Sequence, residues 1–389
     1  MGFIVDDLLK SISEEGYTSN EIKAAILEIL DPFFINKDNL RKNLFDSQIL
    51  SIFGYVILYG NDNVFKDSLE EVLQIYRTAF VTDEMLLYEI IFFSSEEFGQ
   101  KDNMMWNVKS NTPNKVSDDI YESTFAYMKH IGDTLELAVK METQEIYTLL
   151  RIIQRKDIDY LKIKKVNFGS TINNIIEQGR LLQILKTSPI SIKLSDWRNI
   201  AYHHTYSIEK NKIICCFGKE KDKFEVTIDE LKEYTSQIIR ACNSIDLARR
   251  IFLYDNIDKF SVMASRYIEY KSTDRPIMKI SQLKTSLLTQ GFLITDYKVD
   301  EYVSQVIIQD LKNDGTLNEE ELKMRHIHAT QFLYSIYTKL PNNVLRIIYS
   351  NAKKEVQFQA SVKGEVCKKV DEGIYGISYL ISNIVIESK

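Results

Sequence analysis

A chain of 389 residues, 44% hydrophobic and 27% charged, carries enough apolar side chains for sizeable cores and is too hydrophobic for a disordered protein. Its net charge of −6 supplies no global basic field of the kind that draws a protein onto nucleic acid, so any such contact has to be local. At this length two or three domains are expected.

In chain order, the first segment, residues 1–115, is predicted to be helical. Thr18-Ser19-Asn20-Glu21 opens a helix that stops before Pro32. Apolar stretches follow at 50–59, 69–80 and 85–93, and the asparagine-rich stretch 99–115 is expected to be a linker. The second segment, 116–255, begins with Asp118 and Asp119, which suit the positive end of a helix dipole. Helices are predicted from there through Leu137, from Thr143 to Ile153, and from Ser170 to about Leu185. After the Thr187-Ser188-Pro189 break, Ser195 or Asp196 would open a short helix that runs into Tyr206. The period then changes: Lys212–Phe217 and Phe224–Val226 form a predicted hairpin. Thr227-Ile228-Asp229-Glu230 is a capping box opening a long helix. The third segment, 256–389, is mixed. A new element starts at Pro276, a helix at Asn318, and residues 354–362 alternate at the period of an amphipathic strand. The fold class expected is mainly α: a central helical bundle with a short hairpin, a helical N-terminal segment and a mixed, mostly helical C-terminal one.

The four cysteines, Cys215, Cys216, Cys242 and Cys367, form no C-x-x-C pair, which fits a reducing cytoplasm. The vicinal pair Cys215-Cys216 lies on a predicted strand, one side chain for the core and one for the surface. The first residues carry acid where a secretory signal needs base. Apolar runs such as 49–58 and 377–386 are too short to span a bilayer. A cytoplasmic protein without a membrane partner is expected. No phosphate-binding glycine loop and no nucleophile elbow is present, and no cofactor or metal is called for. Arg325-His326-Ile327-His328 has two histidines that would diverge on a helix, so a solvated face is expected there.

The run Trp197-Arg198-Asn199-Ile200-Ala201-Tyr202-His203-His204-Thr205-Tyr206 carries the chemistry. Histidine trades protons near neutral pH, and arginine is a permanent fork-shaped cation matched to phosphate oxygens. Asn199 and His203 are four apart and share a helix face, whereas Arg198 and His203 diverge by roughly 140°. A phosphate held by both would need arginine from one copy and histidine from another. From these residues alone, two arrangements stay open. Arg198 and His203 are a catalytic pair, or Arg198 pairs with an acid and His203 is buried.

The Arg198-Asn199-x-x-x-His203 pattern, with Tyr206 after it, resembles the signature of the HEPN superfamily. Asn167-Phe168-Gly169-Ser170-Thr171-Ile172 resembles the turn that precedes the motif in that family. The hairpin and closing helix resemble its tail, so the likeness runs over roughly residues 117–254. It implies a homodimeric, metal-independent endoribonuclease in which the ribose 2′-hydroxyl attacks the adjacent phosphate. His203 would be the general acid or base, Arg198 would stabilise the transition-state charge, and Asn199 would orient the phosphate or the histidine. His204 would be a spare or an RNA contact. Tyr206 stands three residues after His203, one later than in the family. Lys212, Lys219 and Lys221 on the hairpin, with Lys223, are the nearest candidates for gripping RNA. The family also implies tRNA or mRNA substrates, a setting in phage defence or a toxin system, and a regulatory or antitoxin partner. The competing expectation is an inactive HEPN-like module that dimerises and binds a protein or nucleic acid.

Overall fold

The computed structural model describes residue 11 and residues 18–110, 118–218, 222–267 and 275–388. No helix among these is long and apolar enough to cross a membrane. The fold is mainly helical, and the chain divides into two compact units. One comprises Ile29–Lys42 and Tyr55–Asp274; the other comprises Met1–Glu28, Asn43–Gly54 and Arg275–Lys389. These units do not follow the segments 1–115, 116–255 and 256–389, because apolar faces on both sides of residue 115 are buried against each other.

In the first unit the helix Asn63–Thr82 is capped by Asp62, whose side chain accepts from the Phe65 amide at 3.1 Å. Its buried face, with Leu69, Val72, Leu73 and Tyr76, packs on the helix Ile228–Asp255. The rings of Tyr76 and Phe252 stack across this seam at 5.3 Å. The helix Ile228–Asp255 starts at the expected capping box. The Glu230 amide donates to the Thr227 hydroxyl, and the Thr227 amide donates to the Glu230 carboxylate at 2.7 Å.

The helices Ile120–Thr134 and Lys140–Ile153 form one rod interrupted by a π-turn at Leu135–Val139. Before the turn the rod packs on the helices Leu194–Tyr202 and Ile228–Asp255. After it the rod packs on Asn63–Thr82 and Phe168–Glu177. A buried ionic network ties these layers together. Lys101 of the helix Glu84–Ser110 meets Asp246 at 2.7 Å and Glu142 at 3.0 Å. Arg250 meets Asp246 at 2.8 Å, and Arg249 meets Glu145 at 2.8 Å.

The stretch 99–115 is not a linker as far as Ser110: the helix Glu84–Ser110 runs through it, with Lys101, Met105 and Val108 buried on one side. Its asparagines Asn103 and Asn107 occupy the less buried positions, and 111–117 lie outside the described residues. The helix expected from Ser170 to Leu185 is two helices, Phe168–Glu177 and Leu182–Leu185. Gly179 and Leu181 adopt φ of +69° and +52°, which a continuous helix does not allow.

Short strands β1 (Lys186–Thr187) and β2 (Ile192–Lys193) pair antiparallel just before the motif helix. After it, β3 (Tyr206–Glu209), β4 (Lys212–Phe217) and β5 (Asp222–Val226) form an antiparallel sheet in that order. The predicted hairpin is therefore β4 and β5, and β3 is an additional strand. Cys215 is buried and Cys216 half-buried, as the strand alternation requires.

The second unit holds a sheet of which the sequence predicts only the strand at residues 354–362. Strands β6 (Phe292–Val299), β7 (Val303–Asp310), β8 (Val344–Ser350), β9 (Val356–Lys363) and β10 (Val385–Ser388) lie in the order β10-β9-β8-β7-β6. Only β7 and β8 are parallel, and the helix Glu319–Lys339 makes the crossover between them. Its core includes Ile280, Leu283, Ile308, Leu333, Ile336 and Ile347. His326 and His328 are not on a solvated face. The His326 ring stands edge-on to Tyr349 at 4.9 Å and Phe358 at 5.0 Å. His328 packs on Phe332 at 5.0 Å, with Nε2 2.6 Å from Gln290 Oε1.

Candidate functional site

The motif helix runs from Leu194 to Tyr202, one residue ahead of the predicted opening at Ser195 or Asp196, and no side chain caps its start. Leu194, Trp197, Ile200 and Ala201 face inward. Trp197 is fully buried, edge-on to Phe224 at 5.5 Å, and its indole N–H donates to Thr187 Oγ1 at 2.8 Å. This anchor fixes the rotation of the helix and turns Arg198 and Asn199 outward.

The helix ends at the histidines. The His203 amide donates to the Asn199 carbonyl (3.0 Å), His204 takes a left-handed φ of +50°, and the Thr205 amide donates back to the Ile200 carbonyl (3.2 Å). This is a Schellman stop with histidine where glycine is usual. Thr205 is then strapped to β4. Its carbonyl accepts from the Cys216 amide at 2.8 Å, and its hydroxyl donates to the Cys216 carbonyl at 2.7 Å. His203 and His204 are both exposed. Tyr206, half-buried, begins β3, and its ring lies 6.0 Å from that of His204.

Arg198 does pair with an acid. Its Nε donates to Glu136 Oε2 at 2.9 Å, and one terminal nitrogen donates to Asn199 Oδ1 at 3.1 Å. Its guanidinium lies 5.3 Å from the centre of the Tyr202 ring. The other oxygen of Glu136 accepts from Lys140 Nζ at 2.6 Å. Burial alone would raise the Glu136 pKa, but the hydrogen bonds and charges of Lys140 and Arg198 win and hold it below the ordinary glutamate range. Glu136 is thus an anion clamped between two cations, and its place on the π-turn puts it opposite the motif helix.

The two helices approach closely at Gly132, where an added Cβ would lie 3.2 Å from the Tyr202 ring and 3.3 Å from the Ala201 Cβ. Of the predicted residues, the structure joins Arg198 to Asn199 and places His203 one residue past the helix end. Among the described residues the His203 ring makes no hydrogen bond. Lys212 is paired with Glu225 at 2.8 Å, which offsets its charge. Lys223 is exposed, and Lys219 and Lys221 lie outside the described residues. Sequence reasoning missed Glu136 and Lys140. Their only mark in the sequence is an acid and a base four apart, the spacing of neighbours on a helix.

No family model matches the chain, and no solved structure matches it. Among curated proteins it is similar to the RecBCD enzyme subunit RecC of Buchnera aphidicola subsp. Acyrthosiphon pisum (strain APS), at 22% identity over 324 residues. That alignment covers 77% of this chain and 28% of the relative, so the chain spans under a third of the length of the protein it matches.

Proposed function

We propose that the chain is a metal-independent endoribonuclease of HEPN type, centred on Arg198, Asn199 and His203. The observation that carries this reading is that Asn199 and His203 are exposed on one short stretch, with the half-buried Arg198 hydrogen-bonded to Asn199. His203 is exposed, and Arg198 is held in place by Glu136. In the proposed reaction the ribose 2′-oxygen bonds to the adjacent phosphorus and the bond from phosphorus to the 5′-oxygen breaks. One product end is a 2′,3′-cyclic phosphate and the other a 5′-hydroxyl. His203 takes the proton from the 2′-hydroxyl or gives one to the leaving oxygen, and Arg198 stabilises the charge on the pentacoordinate phosphorus. Two copies would complete one site, with arginine from one and histidine from the other. RNA of the tRNA or mRNA class is the proposed substrate, with a regulatory or antitoxin protein as partner in phage defence or a toxin system.

One observation favours a second reading. Glu136 and Asn199 already occupy two edges of the Arg198 guanidinium. A domain in which that pair is only structural would be an inactive binding module. Cleavage of total bacterial RNA by the purified chain in EDTA separates the two. We expect cleavage that survives chelation, ends in cyclic phosphate, and falls by about 10²–10⁴-fold in His203→Ala. Equal cleavage by both proteins would remove His203 from the mechanism.

A further inference from the structure

The first unit contains a cavity that the motif does not use. It lies among the start of the helix Asn63–Thr82, the segment 183–188 and the middle of the helix Ile228–Asp255, and it holds about 260 Å³. That is just under the usual range for small-molecule sites. Phe65, Ile184 and Ala241 line it and are themselves buried, so part of its wall is apolar. Gln183, Gln237 and Ser188 bring polar side chains to the lining, whereas the Thr187 hydroxyl is taken up by Trp197 and the Ile192 carbonyl. Three charged groups complete it: Lys186, Arg240 and Asp62. Arg240 is committed to Asp62 at 3.1 Å and to Glu233 at 2.8 Å. Lys186 has no ion-pair partner among the described residues. The cavity therefore offers one uncompensated positive charge beside an apolar wall and two amides.

Amide side chains carry a donor and an acceptor side by side, the pattern that reads the edge of a nucleobase. A flat ring suits the apolar wall, and a single lysine suits one phosphate as a point charge. We propose that this cavity binds a mononucleotide, with the base against Phe65, Ile184 and Ala241 and the phosphate at Lys186. The site is not insulated from the motif. Thr187 lines the cavity and accepts the indole N–H of Trp197, the residue before Arg198. A nucleotide that moves the Thr187 hydroxyl alters the hydrogen bond of the indole that anchors the motif helix.

The test titrates AMP, GMP, CMP and UMP separately into the full chain, with melting temperature as the readout. At a hundredfold excess over Kd, at least one nucleotide should raise the Tm of a chain of this length by roughly 3 °C. Lys186→Glu, a surface charge change, and Gln237→Trp, which fills the cavity, should each lose that rise. In a Trp106→Phe background the emission of Trp197 should change on binding. With Thr187→Val added, the Tm rise should persist while the emission change disappears. No rise with any of the four at millimolar concentration, or a rise that survives both Lys186→Glu and Gln237→Trp, overturns the site. An emission change that survives Thr187→Val overturns its coupling to the motif helix.

Discussion

His203 and His204 are adjacent in sequence and differ sharply in backbone. His203 continues the helical turn, whereas His204 sits at φ +50°, where a side chain costs about 1 kcal/mol relative to glycine. His204→Gly should therefore stabilise the chain by about 0.5–1 kcal/mol in urea denaturation, and it should leave RNA cleavage intact if His203 is the acting histidine. Loss of cleavage in that variant would transfer the role to His204. At Glu136 the sign of the pH effect follows from its lowered pKa. A carboxylate with a depressed folded-state pKa adds stability above its unfolded pKa and loses it as pH falls through the folded value. Glu136→Gln should thus be less stable than wild type at neutral pH, by no more than about 1 kcal/mol for so partly exposed a pair. The gap should close below the ordinary glutamate range. Denaturation curves of both proteins between pH 7 and pH 3 would measure it; a gap that widens in acid would contradict the ion pair. The motif itself was legible because its residue types are chemically distinctive. Glu136 was not, because its partner Arg198 is 62 residues away and only packing brings them together.

At the scale of elements, the contact between the motif helix and the rod before it depends on the missing side chain of Gly132. A valine there would push into Tyr202 and Ala201 and force the helices apart. Gly132→Val should destabilise the chain by about 1–3 kcal/mol. On the proposed nuclease reading it should also cost more RNA cleavage than Gly132→Ala, because Arg198 and Glu136 sit on the two helices being separated. Equal cleavage by the two variants would show that helix spacing is not critical. Gly364, at the start of the helix Gly364–Asp371, allows even less: an added Cβ runs into the carbonyl oxygen of Asn342. Helix starts were readable from Thr18, Thr227 and Asn318 because capping is local chemistry. The start at Leu194 was misplaced by one residue because nothing caps it. Strands β6, β7 and β8 escaped because apolar side chains also occupy their less buried positions, which hides the alternation that marks β9. In β7 the run Val306-Ile307-Ile308 is apolar throughout, although Ile307 is less buried than the residues on either side.

Across the first unit, the ionic network decides how the helices hold together. Burial alone would lower the Lys101 pKa, but the carboxylates of Asp246, Glu142 and Asp102 outweigh it and keep the ammonium charged. Asp246 is likewise buried, yet Arg250 and Lys101 hold its pKa far below the ordinary range. Removing one partner strands the rest. Lys101→Met should cost about 3–5 kcal/mol, since it takes from Glu142 and Asp246 the cation they share in the interior. By the same sign rule as above, the Asp246 contribution is present above the unfolded pKa and fades only in strong acid. The stability gap between wild type and Asp246→Asn should therefore persist at pH 4, measured by chemical denaturation. A gap already lost at pH 4 would mean that the pair is not formed. None of this was legible beforehand. Lys101 looked like part of a linker, and a charge predicted to lie at the surface carries no hint that three helices close over it.

The π-turn at Leu135–Val139 acts as a phase shifter. One residue more than an α-helix needs is looped out there, so every side chain beyond it is rotated by about 100° from where a regular helix would put it. The half of the rod before the turn is cut for the motif helix, and the half after it for the helix Asn63–Thr82 and the ionic network. Deleting a single residue from the turn would leave a perfectly good helix and ruin the protein. Glu142, Glu145 and Ile146 would swing off their partners together, while Met128 and Ile131 stayed in register.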